Sequence, residues 1–546
     1  MAAAYTPRFL ILCAGATLAA CTALSPQRPA PFELVEATIP EMQAALADGR
    51  VTSRVLVESY LGRIERHEPT LNAAMVINPA ALEMADALDA ERAAGRVRGP
   101  LHGIPIALKD NINTTDMPTT GGALAFEGYT PPYDATLVTR LRAAGAILIA
   151  KTTHTELAHW VATDMPAGYS ALGGRGVNPY GASLSPGGSS SGIGTAANLW
   201  AASVGTETSG SILNPASATL LAAVKPTVGR ISRHGIIPIT ADQDTAGPMA
   251  RTVTGAALLL GAMEGLDPHD PATNRCEPPP DGDYRPFLDA GALLGARIGV
   301  PRAAFVDAAP IPGSDDTASG LDDARRAVLD EAIAILRALG ATVIDPADLP
   351  SVVATNRADS FLAWPVCYGE NGRRGNDSGC SSVFKYGMKR DFNAYLATLG
   401  ASALVRSLSE LRAFNLAHAD RGAMRYGQIQ LDISDEVELF ADHPRYLADR
   451  ALDVRLGGAE GVDAALERHV LDALLFVGAR GAALAARPGY PSVMVPFALV
   501  SDETDGDPAP IGITFAGTAC SEPRLLALAY AFEQASLRRV PPPLAP

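Results

Sequence analysis

Two hydroxyl-rich loops carry the chemistry this chain could perform. The first is Ser185-Pro186-Gly187-Gly188-Ser189-Ser190-Ser191-Gly192 and the second is Gly205-Thr206-Glu207-Thr208-Ser209-Gly210-Ser211. Glycine lets a backbone approach a substrate closely and take torsions closed to other residues. Serines beside spare N–H groups are what acyl transfer requires, a nucleophile next to a hole for the oxyanion. A Gly/Ser cluster by itself is also the composition of a flexible linker. Here the intervening segment 193–204 is apolar and Ala-rich and reads as one helix length, which embeds both loops in a core. A phosphate-cradling P-loop is excluded, because no Gly-Lys-Ser/Thr follows at the required spacing. A second enzymatic reading stays open: Gly188-Ser189-Ser190-Ser191-Gly192 matches the G-x-S-x-G nucleophile elbow, with Ser190 as nucleophile.

Further motifs stand around these loops. They are Gly103-Ile104-Pro105-Ile106-Ala107-Leu108-Lys109-Asp110-Asn111, Lys225-Pro226-Thr227-Val228-Gly229-Arg230, Gln243 through Arg251, and Gly489-Tyr490-Pro491-Ser492 with Val495-Pro496 and Gly512-Ile513. In this order they resemble the amidase signature family over residues 32–538. The resemblance implies that Ser211 is the acyl-forming nucleophile. Ser189 is then the bridging serine after a cis peptide bond, and Lys109 the terminal base. The backbone N–H groups of Thr208, Ser209, Gly210 and Ser211 would form the oxyanion hole. A lysine accepts a proton only when neutral, and its reference pKa of ~10.4 makes that rare in water. Burial disfavours the ammonium, so Lys109 is expected in an apolar site, at the end of a buried strand through Ile104, Ile106, Ala107 and Leu108.

The chain departs from the family pattern in two places. Ser189 to Ser211 spans 22 positions, two residues short of the family spacing, which is ~200° of helix rotation. The helix around Thr195-Ala196-Ala197-Asn198 must therefore start later, bulge or draw on a loop. Leu213 also stands where many members carry arginine.

The resemblance implies an α/β fold: one amidase signature domain with a long, mixed, largely parallel twisted sheet covered by helices on both faces. The domain is expected over 36–540, with the catalytic core about 100–260. The pattern supports this, with a helix over 135–144, a strand over 146–150, a strand at 297–300, a helix over 322–339 and a strand over 341–344. Thr38-Ile39-Pro40-Glu41 reads as a capping box opening the first helix. Segments 277–282, 309–320 and 501–510 read as Pro/Gly/Asp-rich excursions within it.

A net charge of −15 argues against nucleic acid as a partner, since phosphate binding needs a basic face. No cofactor and no metal are expected. His154 and His159 flank Glu156 on an expected helix, but i and i+5 face different ways, unlike a zinc protease pair. The chain's N-terminus carries Arg8 and the apolar run Phe9 to Thr17, then Leu18-Ala19-Ala20-Cys21. That run suits a secretory h-region and is too short for a permanent span. Leu-Ala-Ala-Cys resembles the bacterial lipobox and implies a signal peptide over 1–20, lipidation at Cys21 and a Pro/Ser-rich tether over 21–35. Threonine at position 22 implies outer-membrane sorting on the periplasmic side; ordinary cleavage after Ala20, or an uncleaved hydrophobic N-terminus, is the alternative.

In an oxidising compartment Cys276, Cys367, Cys380 and Cys520 allow disulfides. Cys367–Cys380 is the expected pair, with Cys276 and Cys520 as free core thiols. The stretch 359–426 is rich in aromatics, Trp364, Tyr368, Phe384, Tyr386, Phe392 and Tyr395 among them; these are core residues of an insertion or the walls of an acyl pocket. The preferred function is a stand-alone hydrolase of a small-molecule or peptide amide, with esters or carbamates as further substrates. No obligate protein partner is evident, and the lipid anchor is the only membrane link. The alternatives are an esterase using Ser190 with His418 or His443, a component of a tRNA amidotransferase, and a catalytically inactive surface or binding protein.

Overall fold

A computed structural model describes residues 1–6, 32–501 and 506–544. The apolar N-terminal run, Cys21 and most of the tether lie outside the described residues. The apolar segments at Pro105–Lys109 (β2) and Ile147–Thr152 (β3) are strands buried at every position. Such unbroken apolar runs are what strands covered on both faces require. They join Ala74–Ile77 (β1), Ala202–Glu207 (β4), Ala222–Lys225 (β5), Thr245–Ala250 (β6), Arg297–Gly299 (β7), Thr342–Ile344 (β8), Ala473–Val477 (β9), Ser492–Val500 (β10) and Ala509–Ala516 (β11).

These strands form one eleven-stranded sheet in the order β1-β3-β2-β4-β6-β5-β10-β11-β9-β7-β8. Pairs β3–β2–β4 on one side and β9–β7–β8 on the other are parallel. The central run from β4 through β6, β5, β10 and β11 to β9 is antiparallel. The sheet is mixed as expected, but its centre corrects the expectation of a largely parallel one. Hairpin-like returns such as β10 to β11 need no crossover helix, so they settle antiparallel.

Helices appear where the pattern put them, at Thr136–Ala143 and Asp323–Ala338. The Thr38 box is complete: the Glu41 N–H donates to Thr38 Oγ1 at 3.3 Å, and the Thr38 N–H donates to Glu41 Oε2 at 2.8 Å. Three expectations fail. The segment between the serine loops holds only a one-turn helix, Ile193–Ala196. Asn198 at φ +57° then turns the chain toward β4, so the segment draws on a loop, one of the three accommodations expected. Around His154 and His159 there is no α-helix, because Leu157, Ala158 and His159 take φ of +42°, +57° and +72°. Cys276 and Cys520 are not free thiols: they form a disulfide across 244 positions, beside the expected Cys367–Cys380 bridge.

The aromatic stretch shares a second core with residues 123–169, in which the helix Val383–Thr398 buries Phe384, Met388, Phe392 and Tyr395 against Trp160 and Phe126. It packs beside the carboxyl ends of β2 and β4, the edge where α/β sheets bind ligands.

Candidate active site

Lys109 is the last residue of β2, and its side chain is fully buried. Its Nζ lies 2.8 Å from Ser189 Oγ, 2.9 Å from Thr206 Oγ1 and 3.3 Å from the Thr206 carbonyl. Thr206 is itself fixed, since Asn111 Nδ2 donates to its Oγ1 at 3.1 Å. Burial pulls the Lys109 amine down to about 7, against the upward pull of the Asp244 and Glu207 charges. A neutral amine has two N–H bonds and one lone pair. Two donations to Thr206 leave that lone pair for the Ser189 hydroxyl proton.

Ser189 is fully buried and follows a cis peptide bond from Gly188, as the resemblance implied. Its carbonyl accepts from the Thr155 N–H at 2.9 Å. The next N–H, of Ser190, donates to the Ser211 carbonyl at 3.1 Å and ties the two loops together. The Ser190 hydroxyl is spent on backbone: it accepts from the Thr206 N–H at 3.0 Å and donates to the Thr206 carbonyl at 2.9 Å. A Cβ at Gly205 would come within 2.7 Å of Ser190 Oγ, so only glycine lets this loop close on β4. His418 and His443, the bases the elbow would need, bond instead to the Phe414 carbonyl and the Tyr386 hydroxyl. Ser190 is a staple. Ser190→Ala should therefore lower stability by ~1–3 kcal/mol while amide turnover persists; denaturant melts with an amide assay check this, and a dead but fully stable variant contradicts it.

Glu207 ends β4 and organises the second loop. Its carboxylate accepts the N–H groups of Gly210 at 2.8 Å, Ile212 at 2.7 Å and Leu213 at 3.0 Å. The Gly210 N–H is thereby withdrawn from the expected oxyanion hole, leaving those of Thr208, Ser209 and Ser211. Glycine is needed at 210 because φ is +85°. The Thr208 hydroxyl donates to Asp244 Oδ1 at 2.5 Å, and the Ile239 and Thr240 N–H groups donate to Asp244 Oδ2 at 2.9 Å each. Burial nevertheless pushes Asp244 up to about 7. The sequence reading missed Asn111, Thr206, Glu207 and Asp244 as organisers, although each lies in a motif it had marked. Leu213, at the family's arginine position, is buried in an apolar cluster with Ala482 and Met494.

Ser211, 9% exposed, opens into a cavity of about 480 Å³ shared with Ser209, Gly210, Trp160, Tyr368 and Phe384. So two aromatics of the insertion wall a pocket, while most of the others serve as core. A second cavity of about 240 Å³ adjoins it across Thr208 and Ile239 and reaches Asn111, Thr206 and Asp244. Among the described residues no group of three or more His, Cys, Asp or Glu is placed to hold a metal. His154 Nδ1 bonds to the Thr155 carbonyl and His159 Nε2 to the Met165 carbonyl, and burial lowers both rings' pKa.

The amidase family profile matches residues 55–396. The chain belongs to the amidase family. A probable amidase of Arabidopsis thaliana is 36% identical over 518 residues, covering 94% of this chain and 92% of the relative. A putative amidase of Arthroderma benhamiae is 34% identical over 506 residues, 90% of this chain and 81% of that protein. In solved structures, the native peptide amidase of Stenotrophomonas maltophilia superposes with a TM-score of 0.81 at 40% identity, over 94% of this chain and 99% of that one. This amidase fold, then, places β2 and β4 side by side and puts Lys109 and both serine loops at one edge of the sheet. The family and these neighbours support amide hydrolysis.

Proposed function

We propose that this amidase cleaves the C–N bond of linear carboxylic amides by acyl transfer to Ser211. Neutral Lys109 takes the proton of Ser189 Oγ as Ser189 takes that of Ser211. Ser211 Oγ attacks the carbonyl carbon, and the oxyanion faces the N–H groups of Thr208, Ser209 and Ser211. Collapse breaks the C–N bond, and the same path returns the proton to the leaving amine. Water then attacks the acyl-enzyme ester, frees the acid and restores Ser211. The observation that carries this reading is the 2.8 Å contact between Lys109 Nζ and Ser189 Oγ, in a loop bonded to that of Ser211.

The likeness to a peptide amidase supports a peptide-like or N-acylated amide as substrate, with esters and carbamates as secondary substrates of the same acyl transfer. Export with a lipid at Cys21 is part of this proposal. It is supported by the residues from Arg8 to Cys21 and by two disulfides, which belong to oxidising compartments. Turnover of a panel of amides, anilides, esters and carbamates tests the chemistry: amide cleavage is expected, and ester cleavage alone contradicts it. Palmitate labelling that survives Cys21→Ser contradicts the anchor.

A further inference from the structure

An oxyanion hole made of backbone N–H groups works only while each peptide plane faces the right way. The plane between Thr208 and Ser209 is held by a side chain that has no part in the proton path. Gln243 Nε2 donates to the Thr208 carbonyl at 3.2 Å. This peptide bond is trans, and in a planar trans peptide the carbonyl and the following N–H point to opposite sides. Holding the carbonyl toward Gln243 therefore turns the Ser209 N–H away from Gln243. Ser209 lines the cavity at Ser211, whereas Gln243 is buried and lines neither that cavity nor the one beside it.

The side from which Gln243 reaches is firmly built. The N–H groups of Gln243 and Asp244 both donate to the Thr240 carbonyl, at 3.2 Å and 2.9 Å. The Asp242 carboxylate accepts from Arg390 Nη2 and from the Tyr446 hydroxyl at 2.9 Å each. The Asp242 carbonyl accepts from Arg450 Nη2 at 3.1 Å. Arg390 stands on the helix Val383–Thr398, and Tyr446 and Arg450 stand on the helix His443–Val454. Two helices thus clamp the segment that carries Gln243.

Thr208 is gripped from this segment at two points, its hydroxyl by Asp244 and its carbonyl by Gln243. The two grips do different things. The Asp244 contact fixes a side chain, while the Gln243 contact fixes the peptide plane. A rotated plane would turn the carbonyl oxygen toward the cavity, and its dipole would repel the negative charge that the N–H should stabilise.

Resting on the acyl-transfer reading of Ser211, we infer that Gln243 is a positioning residue that keeps the Ser209 N–H aimed at the oxyanion. It acts through the backbone of Thr208, touches no substrate and takes no part in proton transfer. The charge it serves develops only on the way to the tetrahedral intermediate, so its effect falls on kcat and spares KM.

The test is steady-state kinetics of Gln243→Met, which lacks a donor and is close in volume, with a thermal melt beside it. The substrates are a primary amide that the full chain turns over and the methyl ester of the same acid. Outright loss of one oxyanion donor costs about 10²–10³-fold in kcat, so a donor left unheld should cost about 10- to 100-fold. Amide and ester form the same oxyanion, so both should fall alike with KM unchanged. The rise of kcat/KM through about pH 7, set by Lys109, should remain. Lys109→Met differs on both counts, since it spares esters and removes the rise. Should Gln243→Met fail to fold, Gln243→Leu, which also lacks a donor, carries the same expectation. A kcat equal to that of the unaltered chain overturns the inference, as does a loss carried by KM, a loss confined to the amide, or a vanished pH rise. In each of these cases amide turnover by the unaltered chain leaves the acyl-transfer reading standing. Turnover of no amide by the unaltered chain overturns that reading and this inference with it.

Discussion

Ser211→Ala abolishes amide turnover, with a loss on the order of 10⁶-fold, the size seen when a serine nucleophile is removed from a working proton path. The loss falls on kcat, because the hydroxyl supplies a bond made on the way to the acyl-enzyme. The fold should be untouched, since Ser211 opens into the cavity and its carbonyl, which the substitution keeps, is what binds the Ser190 N–H. Steady-state kinetics beside a thermal melt make the check. Residual turnover within about tenfold of the unaltered chain would move the nucleophile elsewhere.

Lys109→Met lowers kcat/KM by ~10²–10⁴-fold, the usual worth of one general base. Its pH profile separates this role from simple damage. Lys109 is held down to about 7 by burial, and only its neutral form accepts a proton. In the unaltered chain kcat/KM should therefore rise with pH through about 7 and level off above it. Asp244, pushed up to about 7 by burial, titrates in the same window. The Lys109→Met variant keeps Asp244, so loss of the rise in this variant assigns it to Lys109, and persistence of the rise assigns it to Asp244. Ester substrates, with better leaving groups, should suffer less than amides. Ser189→Ala should resemble the lysine variant, and the double variant should lose little more, because the two act as one path.

The parts of this site that rest on local chemistry were legible in the sequence. The Gly/Ser loops, the apolar run ending in Lys109 and the Thr38 box each declare their structure through residue type and spacing. The cis bond at Ser189 was legible through the family resemblance and the glycine pair before the serine. What stayed hidden depends on partners distant in the chain or on torsions that residue type does not advertise. Leu157, Ala158 and His159 all take positive φ although none is glycine, so the expected helix there is absent. Cys276 and Cys520 meet across 244 positions of chain, a pairing that no local pattern announces. Which loop N–H groups stay free was decided by Glu207, whose carboxylate turns back on its own loop and takes Gly210. The antiparallel centre of the sheet was equally silent, since a four-residue strand such as Ala222–Lys225 shows no alternation to read.

The central claim is that the acyl group is carried on Ser211 and on neither serine of the first loop. Mapping a fluorophosphonate adduct by peptide mass spectrometry tests it most directly, because the probe marks the activated nucleophile itself. The account predicts a single adduct on Ser211, lost in Ser211→Ala and strongly slowed in Lys109→Met. An adduct on Ser189 or Ser190, or one that forms as fast without Lys109, would contradict it.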